Sequence, residues 1–307
     1  MQKLHLGAAQ CALDLGDGSE RAEYVNQDYI LHKLGRPHRA IGIMYTYYPH
    51  DKQWPQRISK ACKDMNITFQ WDYPYDDYFP FNADGQPWEQ MRDIRRHGQD
   101  AALTLTLDCS LSDDELREVA RMLRPYGRMT IRINHECGGT WFTHNKRFTY
   151  EQVGKFFAHF SDIIHQEAPN VRTVFCAGFA QADGKLEKED EFAVAYRAAD
   201  VWSADCYLAL HYGWPYDVAE IGGGQYKADS VGMYYDMFRR TYERASSQFG
   251  AKPLVTAEFN TDGDVTGPRH QGESVIRFAE TFRDHQADWF KAISCLLYTS
   301  PSPRDRS

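Results

Sequence analysis

Between residues 4 and 294, short runs rich in branched and aromatic side chains alternate with segments of helical period. The strand-like runs are LHLGAA (4–9), AIGIMYTYY (40–48), ITFQWDY (67–73), AALTLTLD (101–108), RMTIRINHE (128–136), VRTVFCAG (171–178), VWSADCYLAL (201–210), LVTAEF (254–259) and WFKAIS (289–294). Helical segments lie near 20–34, 55–65, 88–97, 228–247 and 271–285, and two more have defined starts. Ser112 and Glu115 form one S-x-x-E capping box, followed by Leu116, Val119 and Leu123 on one face. Thr149 and Gln152 form a second, followed by the apolar stripe of Val153, Phe156, Phe157, Phe160 and Ile164. Alternating βα units demand a parallel sheet with helices outside it. About eight of them predict an α/β protein of the closed (β/α)8 TIM-barrel type.

Nine runs are one too many for eight strands. The run at 101–108 is expected to be accessory, with 4–9 as the rival for that place. Under either choice the strands at 128, 171, 201 and 254 are consecutive. A single domain is expected over 1–294. The closing CLLYTSPSPRDRS, from Cys295 to Ser307, has neither period and resembles the in-frame translation of a sequencing adapter. Residues 295–307 are therefore expected to be a non-native tail, and the barrel to be truncated near the start of its eighth strand. The expected consequence is an open seam between first and last strands, with poor solubility or activity.

The 307 residues suffice for one such barrel. A net charge of −8 argues against a nucleic-acid or anionic-membrane partner. No apolar run reaches the ~18 residues of a membrane span. MQKLHLGAAQ lacks a signal peptide's apolar core, so the compartment stays open: the chain stays inside the cell, or its start lies upstream. Seven cysteines lie scattered without a CxxC, which suggests neither a zinc cluster nor a disulfide framework. Nineteen tyrosines and seven tryptophans suit either core packing or the stacking of flat sugar faces.

Side chains on a strand alternate between faces, so Arg132, Asn134 and Glu136 are expected to share one, as are Thr256 and Glu258. Active sites of such barrels gather at the C-terminal strand ends, where Glu136 and Glu258 both fall. Strands three apart face each other across the mouth, so two carboxylates can converge on one substrate atom. That arrangement suits glycoside hydrolysis, in which one carboxyl donates a proton and the other attacks or activates water. Arg132 would favour ionised carboxylates nearby. Tyr207, ending the strand before Glu258, could hold that carboxylate by a hydrogen bond. Trp71, Trp88 and Trp214 are candidate sugar platforms or rim packing. Asp108 suits a turn or helix entry, and Tyr234, Tyr235 and Phe238 suit core. His135, Glu136 and His144 lack the H-E-x-x-H spacing, and Gly222 to Gly224 lack the Lys-Ser/Thr of a phosphate loop. No metal and no cofactor is expected.

RINHECGGTWF (132–142) resembles the acid/base segment of glycoside hydrolase family 26, of the form R-x-x-H-E-x-N-G-x-W-F. Arg132, His135, Glu136, Gly139, Trp141 and Phe142 match in register. KPLVTAEFN (252–260) resembles that family's nucleophile strand, with Glu258 matching, and DCY (205–207) its strand-six D-x-Y. IRRHGQD (94–100) faintly resembles an upstream segment. The resemblance implies a retaining (β/α)8 barrel with Glu136 as general acid/base and Glu258 as nucleophile. Arg132 and His135 would shape the acid/base side, Trp141 would stack on sugar, and Tyr207 would orient Glu258. Cys137 and Gly138 replace the family's Met and Asn, and Thr143 and His144 replace a Trp pair, which leaves the polysaccharide open. The expected function is a β-mannanase-like retaining endo-β-glycanase acting on O-glycosidic bonds of a plant-type glycan. A monomer without a nucleic-acid or membrane partner is expected, secreted if the resemblance extends to localisation. A non-catalytic carbohydrate-binding barrel and a metal-dependent barrel hydrolase are the alternatives.

Overall fold

The computed structural model describes residues 12–14, 26–35, 39–50, 79–81, 89–139, 144, 147–181, 183–212, 218–221, 230–261 and 268–296. Its strands are β1 (Ala12–Asp14), β2 (Ala40–Tyr47), β3 (Phe79–Pro80), β4 (Asp100–Leu107), β5 (Met129–Ile133), β6 (Val171–Phe179), β7 (Val201–Tyr212), β8 (Val218–Ile221), β9 (Leu254–Thr261) and β10 (Phe290–Leu296). Its helices are α1 (Gln27–Leu34), α2 (Glu89–Arg96), α3 (Asp113–Met122), α4 (Tyr150–Glu167), α5 (Ala193–Ala198), α6 (Ser230–Phe249) and α7 (Pro268–Asp284). One sheet runs β1-β10-β9-β7-β6-β5-β4-β2-β3, every neighbouring pair parallel, with β8 hairpinned antiparallel onto β7. This curled parallel sheet, alternating with helices, is that of a (β/α)8 TIM barrel.

The sequence AALTLTLD misleads about its own place. Far from accessory, β4 is central: it pairs along its full length with β2 and on its other edge with β5. The alternation of Leu and Thr looks one-sided, but both faces are buried. Leu103 and Leu105 face the helix layer, while Thr104 and Thr106 fill the barrel interior at 5% and 0% exposure. The rival run at 4–9 and the run at 67–73 lie outside the described residues. β5, β6, β7 and β9 are consecutive, as their order in the chain requires.

The seam expected between first and last strands is paired. β10 continues through Leu296, past the boundary drawn at residue 294, and β1 pairs with it from Ala12↔Ser294 to Asp14↔Leu296. β1 also lies beside β2, although no ladder joins these two among the described residues.

Both capping boxes form, at Ser112/Glu115 and Thr149/Gln152. The α4 stripe closes over β6, where the Phe175 ring meets Phe157 at 4.8 Å, Phe192 at 5.4 Å and Tyr196 at 4.8 Å. On β9, Phe259 packs on Phe278 of α7 at 4.4 Å. These outward rings fix the alternation of their strands. With Phe175 and Phe259 turned to the helices, Cys176 and Glu258 must point into the barrel. Tyr234, Tyr235 and Phe238 are buried core, as expected. The short α5 and the β7–β8 hairpin were not legible: six residues show no helical period, and the hairpin merely prolongs an apolar run.

Candidate active site

β5 stops at Ile133, three residues before the glutamate it was expected to carry. Asn134 and Glu136 adopt left-handed backbone, at φ 46° and 49°. Asn tolerates this region, whereas for Glu it costs about 1 kcal/mol or more and needs support from its surroundings. Strand alternation therefore does not place Glu136; a tight turn does. Asn134 anchors one side of that turn. Its carbonyl accepts from the Leu107 N–H at 2.7 Å, and its amide reaches Cys109 Sγ at 3.3 Å. The other side docks on β6, where the Gly138 N–H donates to the Ala177 carbonyl at 2.6 Å. A Cβ on Gly138 would stand 2.6 Å from that same oxygen. This explains why a glycine stands where the resembled motif has Asn.

The turn brings Glu136 to the expected place. Carboxylate oxygens of Glu136, Asp205 and Glu258 all lie within 4.8 Å of one another, and all three residues are buried. Arg132, 4% exposed, supplies the compensating charge. Its guanidinium donates to Glu258 Oε1 at 2.6 Å, to Asp205 at 3.4 Å and to Thr104 Oγ1 at 2.9 Å. Arg132 thus braces the Glu258 side rather than bordering only Glu136. Asp205 Oδ1 also accepts the Glu258 backbone N–H at 3.1 Å.

Asp205 is the residue that site assignment from sequence missed. Its signal was present: in VWSADCY, polar Ser203, Asp205 and Tyr207 alternate with Trp202, Ala204 and Cys206. Burial, followed by the Glu258 carboxylate, raises the Asp205 pKa to about 7. The Arg132 guanidinium and hydrogen bonds from Cys176 and the Glu136 side chain pull the other way.

His135 lies beneath the cluster, its Nε2 at 3.8 Å from Glu258 Oε1. Burial first, then Arg132 and His144, hold its pKa well below 6.5. Burial lowers His144 to about 3. Asp108 plays a turn role, accepting from the Ser110 N–H at 2.9 Å and pairing with Arg147. Tyr207 lies on β7, in register with Asn260 of β9, and only its backbone is described. Trp71 and Trp141 lie outside the described residues.

The buried histidines set a pH dependence. An unfolded histidine takes a proton near pH 6.5, whereas these stay neutral in the fold. Their contribution is complete above pH 6.5 and is lost as pH falls toward the folded values. Asp205 acts oppositely, since the fold keeps a proton between about pH 4 and 7 that the unfolded chain releases. Comparing variants isolates one group. The unfolding free energy of His144→Leu relative to wild type should rise as pH falls from 6.5 to 4, by up to ~1.4 kcal/mol per unit. Urea titrations showing a constant difference over that range would contradict the burial of a neutral His144.

No protein-family model matches the sequence, and no curated protein matches it. Solved structures do match. BuGH86 in complex with neoagarooctaose superposes at TM-score 0.53 and 10% identity, over 94% of this chain and 52% of that one. AbfB, a family 51 α-L-arabinofuranosidase from Bifidobacterium longum, matches at TM-score 0.50 and 12% identity, over 87% and 60%. The likeness is one of fold. A GH26 β-mannanase from Bacteroides ovatus, BoMan26A, matches at TM-score 0.46 and 10% identity, over 83% and 70%, too weakly to argue from. The chain spans about half the length of the first of these proteins.

Proposed function

We propose that this chain is a retaining endo-β-glycanase of the β-mannanase kind, cleaving O-glycosidic bonds of a plant-type β-glycan by double displacement. The observation that supports this reading is that one carboxylate oxygen of Glu136 and one of Glu258 lie within 4.8 Å of each other, at the C-terminal side of β5 and β9. Retaining pairs stand ~5–5.5 Å apart, and inverting pairs ~6.5–9.5 Å, to admit a water.

Glu258 attacks the anomeric carbon, and its carboxylate is held for this by Arg132 and by its own N–H on Asp205. Glu136 protonates the departing oxygen. It then takes a proton from the water that cleaves the glycosyl ester. Asn134 holds the turn, since both ends of its amide are engaged inside the protein. His135 packs under Glu258. Trp71, Trp141 and Tyr207 are the residues proposed to meet sugar, Tyr207 also orienting Glu258. The known fold and the carboxylate geometry support hydrolysis of a glycoside; the choice of mannan rests on the motif resemblance alone.

The test is hydrolysis of mannan, mixed-linkage glucan and xylan, together with activated aryl β-glycosides. NMR of the first-formed product should show the β anomer. An α product would mean inversion and overturn the mechanism. Equal zero rates for folded wild type and Glu258→Ala would mean a carbohydrate-binding barrel instead.

A further inference from the structure

One sulfur abuts the carboxylate centre. Cys176 is fully buried and forced into the barrel by the ring packing of Phe175. Its Sγ lies 3.3 Å from Asp205 Oδ2, to which the S–H donates. The turn that carries Glu136 docks beside it on β6. Two neighbouring contacts reinforce the docking: the Cys137 S–H reaches the Cys176 carbonyl at 3.7 Å, and the Gly138 N–H reaches Ala177. Since Asp205 Oδ1 takes the Glu258 N–H, a continuous path runs from Cys176 through Asp205 to the Glu258 backbone.

We propose that Cys176 is a positioning residue for the carboxylate centre, fixing through its sulfur the Asp205 carboxylate and, through that carboxylate, the Glu258 backbone. The proposal rests on the glycanase reading above. The left-handed Glu136 needs outside support, and its turn finds that on β6, through the Cys176 and Ala177 carbonyls. The charged groups facing Asp205 are Glu258 from β9, Arg132 from β5 and Glu136 from the turn. With two carboxylates against one guanidinium, a donor on Oδ2 favours ionised Asp205. Burial holds the thiol itself protonated and able to donate.

Cys176→Ala and Cys176→Ser in the full chain test this. The alanine variant should lose about 10-fold in kcat on an activated aryl β-glycoside, with KM changed less than 2-fold, because Asp205 no longer fixes Glu258. The acidic limb of its pH profile should move upward, since Asp205 keeps its proton to higher pH. Serine, which can donate and accept at the same place, should restore most of both. A limb that stays put in a folded alanine variant, or equal losses for serine and alanine, would overturn the proposal. The infrared S–H band, assigned by a wild type minus Cys176→Ala difference spectrum, reads the contact without turnover. It should lie low in frequency, as for a thiol bonded to a carboxylate, and move up in Asp205→Asn. A free-thiol frequency in wild type would refute the contact even in an active enzyme. A low-frequency band in a protein inactive on every glycoside would instead refute the glycanase reading alone.

Discussion

Glu258→Ala is expected to lower kcat on an activated aryl β-glycoside by on the order of 10⁴-fold or more, because it removes the proposed nucleophile. Glu136→Ala should behave differently, and the difference identifies the roles. An activated leaving group departs without a proton, so the first step in Glu136→Ala should lose little. The second step, which needs a base, should become limiting. On an unactivated glycan both steps suffer, and the loss should approach that of Glu258→Ala. Stopped-flow measurement of the released phenol should show a burst followed by slow turnover for Glu136→Ala, and no burst for Glu258→Ala. A reversed pattern would exchange the two assignments. Equal, small losses in both would remove both residues from the chemistry.

Arg132→Met should have the largest effect on stability. Three buried carboxylates share one guanidinium, and Arg132 donates to two of them. Removing one partner of a buried ion pair costs ~3–5 kcal/mol, because the remaining charges stay desolvated. Urea unfolding at pH 7 should report a loss of that order. The loss should shrink at pH 4, where the carboxylates can take up protons instead. Arg132→Lys should fall between, since a single ammonium cannot fork to Thr104, Asp205 and Glu258 together. A loss below about 1 kcal/mol at pH 7 for Arg132→Met would mean that the carboxylates are compensated by something else.

Much of this architecture can be read in the chain, and the failures have physical causes. Both capping boxes and the α4 stripe were legible because local chemistry writes them within a few residues. The consecutive order of β5, β6, β7 and β9 was legible because crossover units leave little freedom. The role of β4 was not: Thr104 and Thr106 are polar in sequence yet face an interior, where Thr104 answers Arg132. Glu136 was assigned to its place by strand alternation, and it reaches that place by a turn. Two residues in left-handed backbone cannot be foreseen from RINHE, although Gly138 hints that another backbone passes close by. Asp205 escaped because its partners, Arg132 and Glu258, lie 73 and 53 residues away in sequence. Cys176 looked like a small buried residue, and its burial does not reveal that its neighbours are polar.

The central claim is that Glu258 forms a covalent bond to sugar while Glu136 serves it from across the gap. A 2-deoxy-2-fluoro β-glycoside with an activated leaving group tests this most directly, because the fluorine slows both formation and breakdown of the glycosyl ester while the good leaving group speeds formation alone. Peptide mass mapping after inactivation should place the added fluorosugar on Glu258. A label on Glu136 or on any other residue, or no label in a protein that turns over its substrate, would contradict the mechanism.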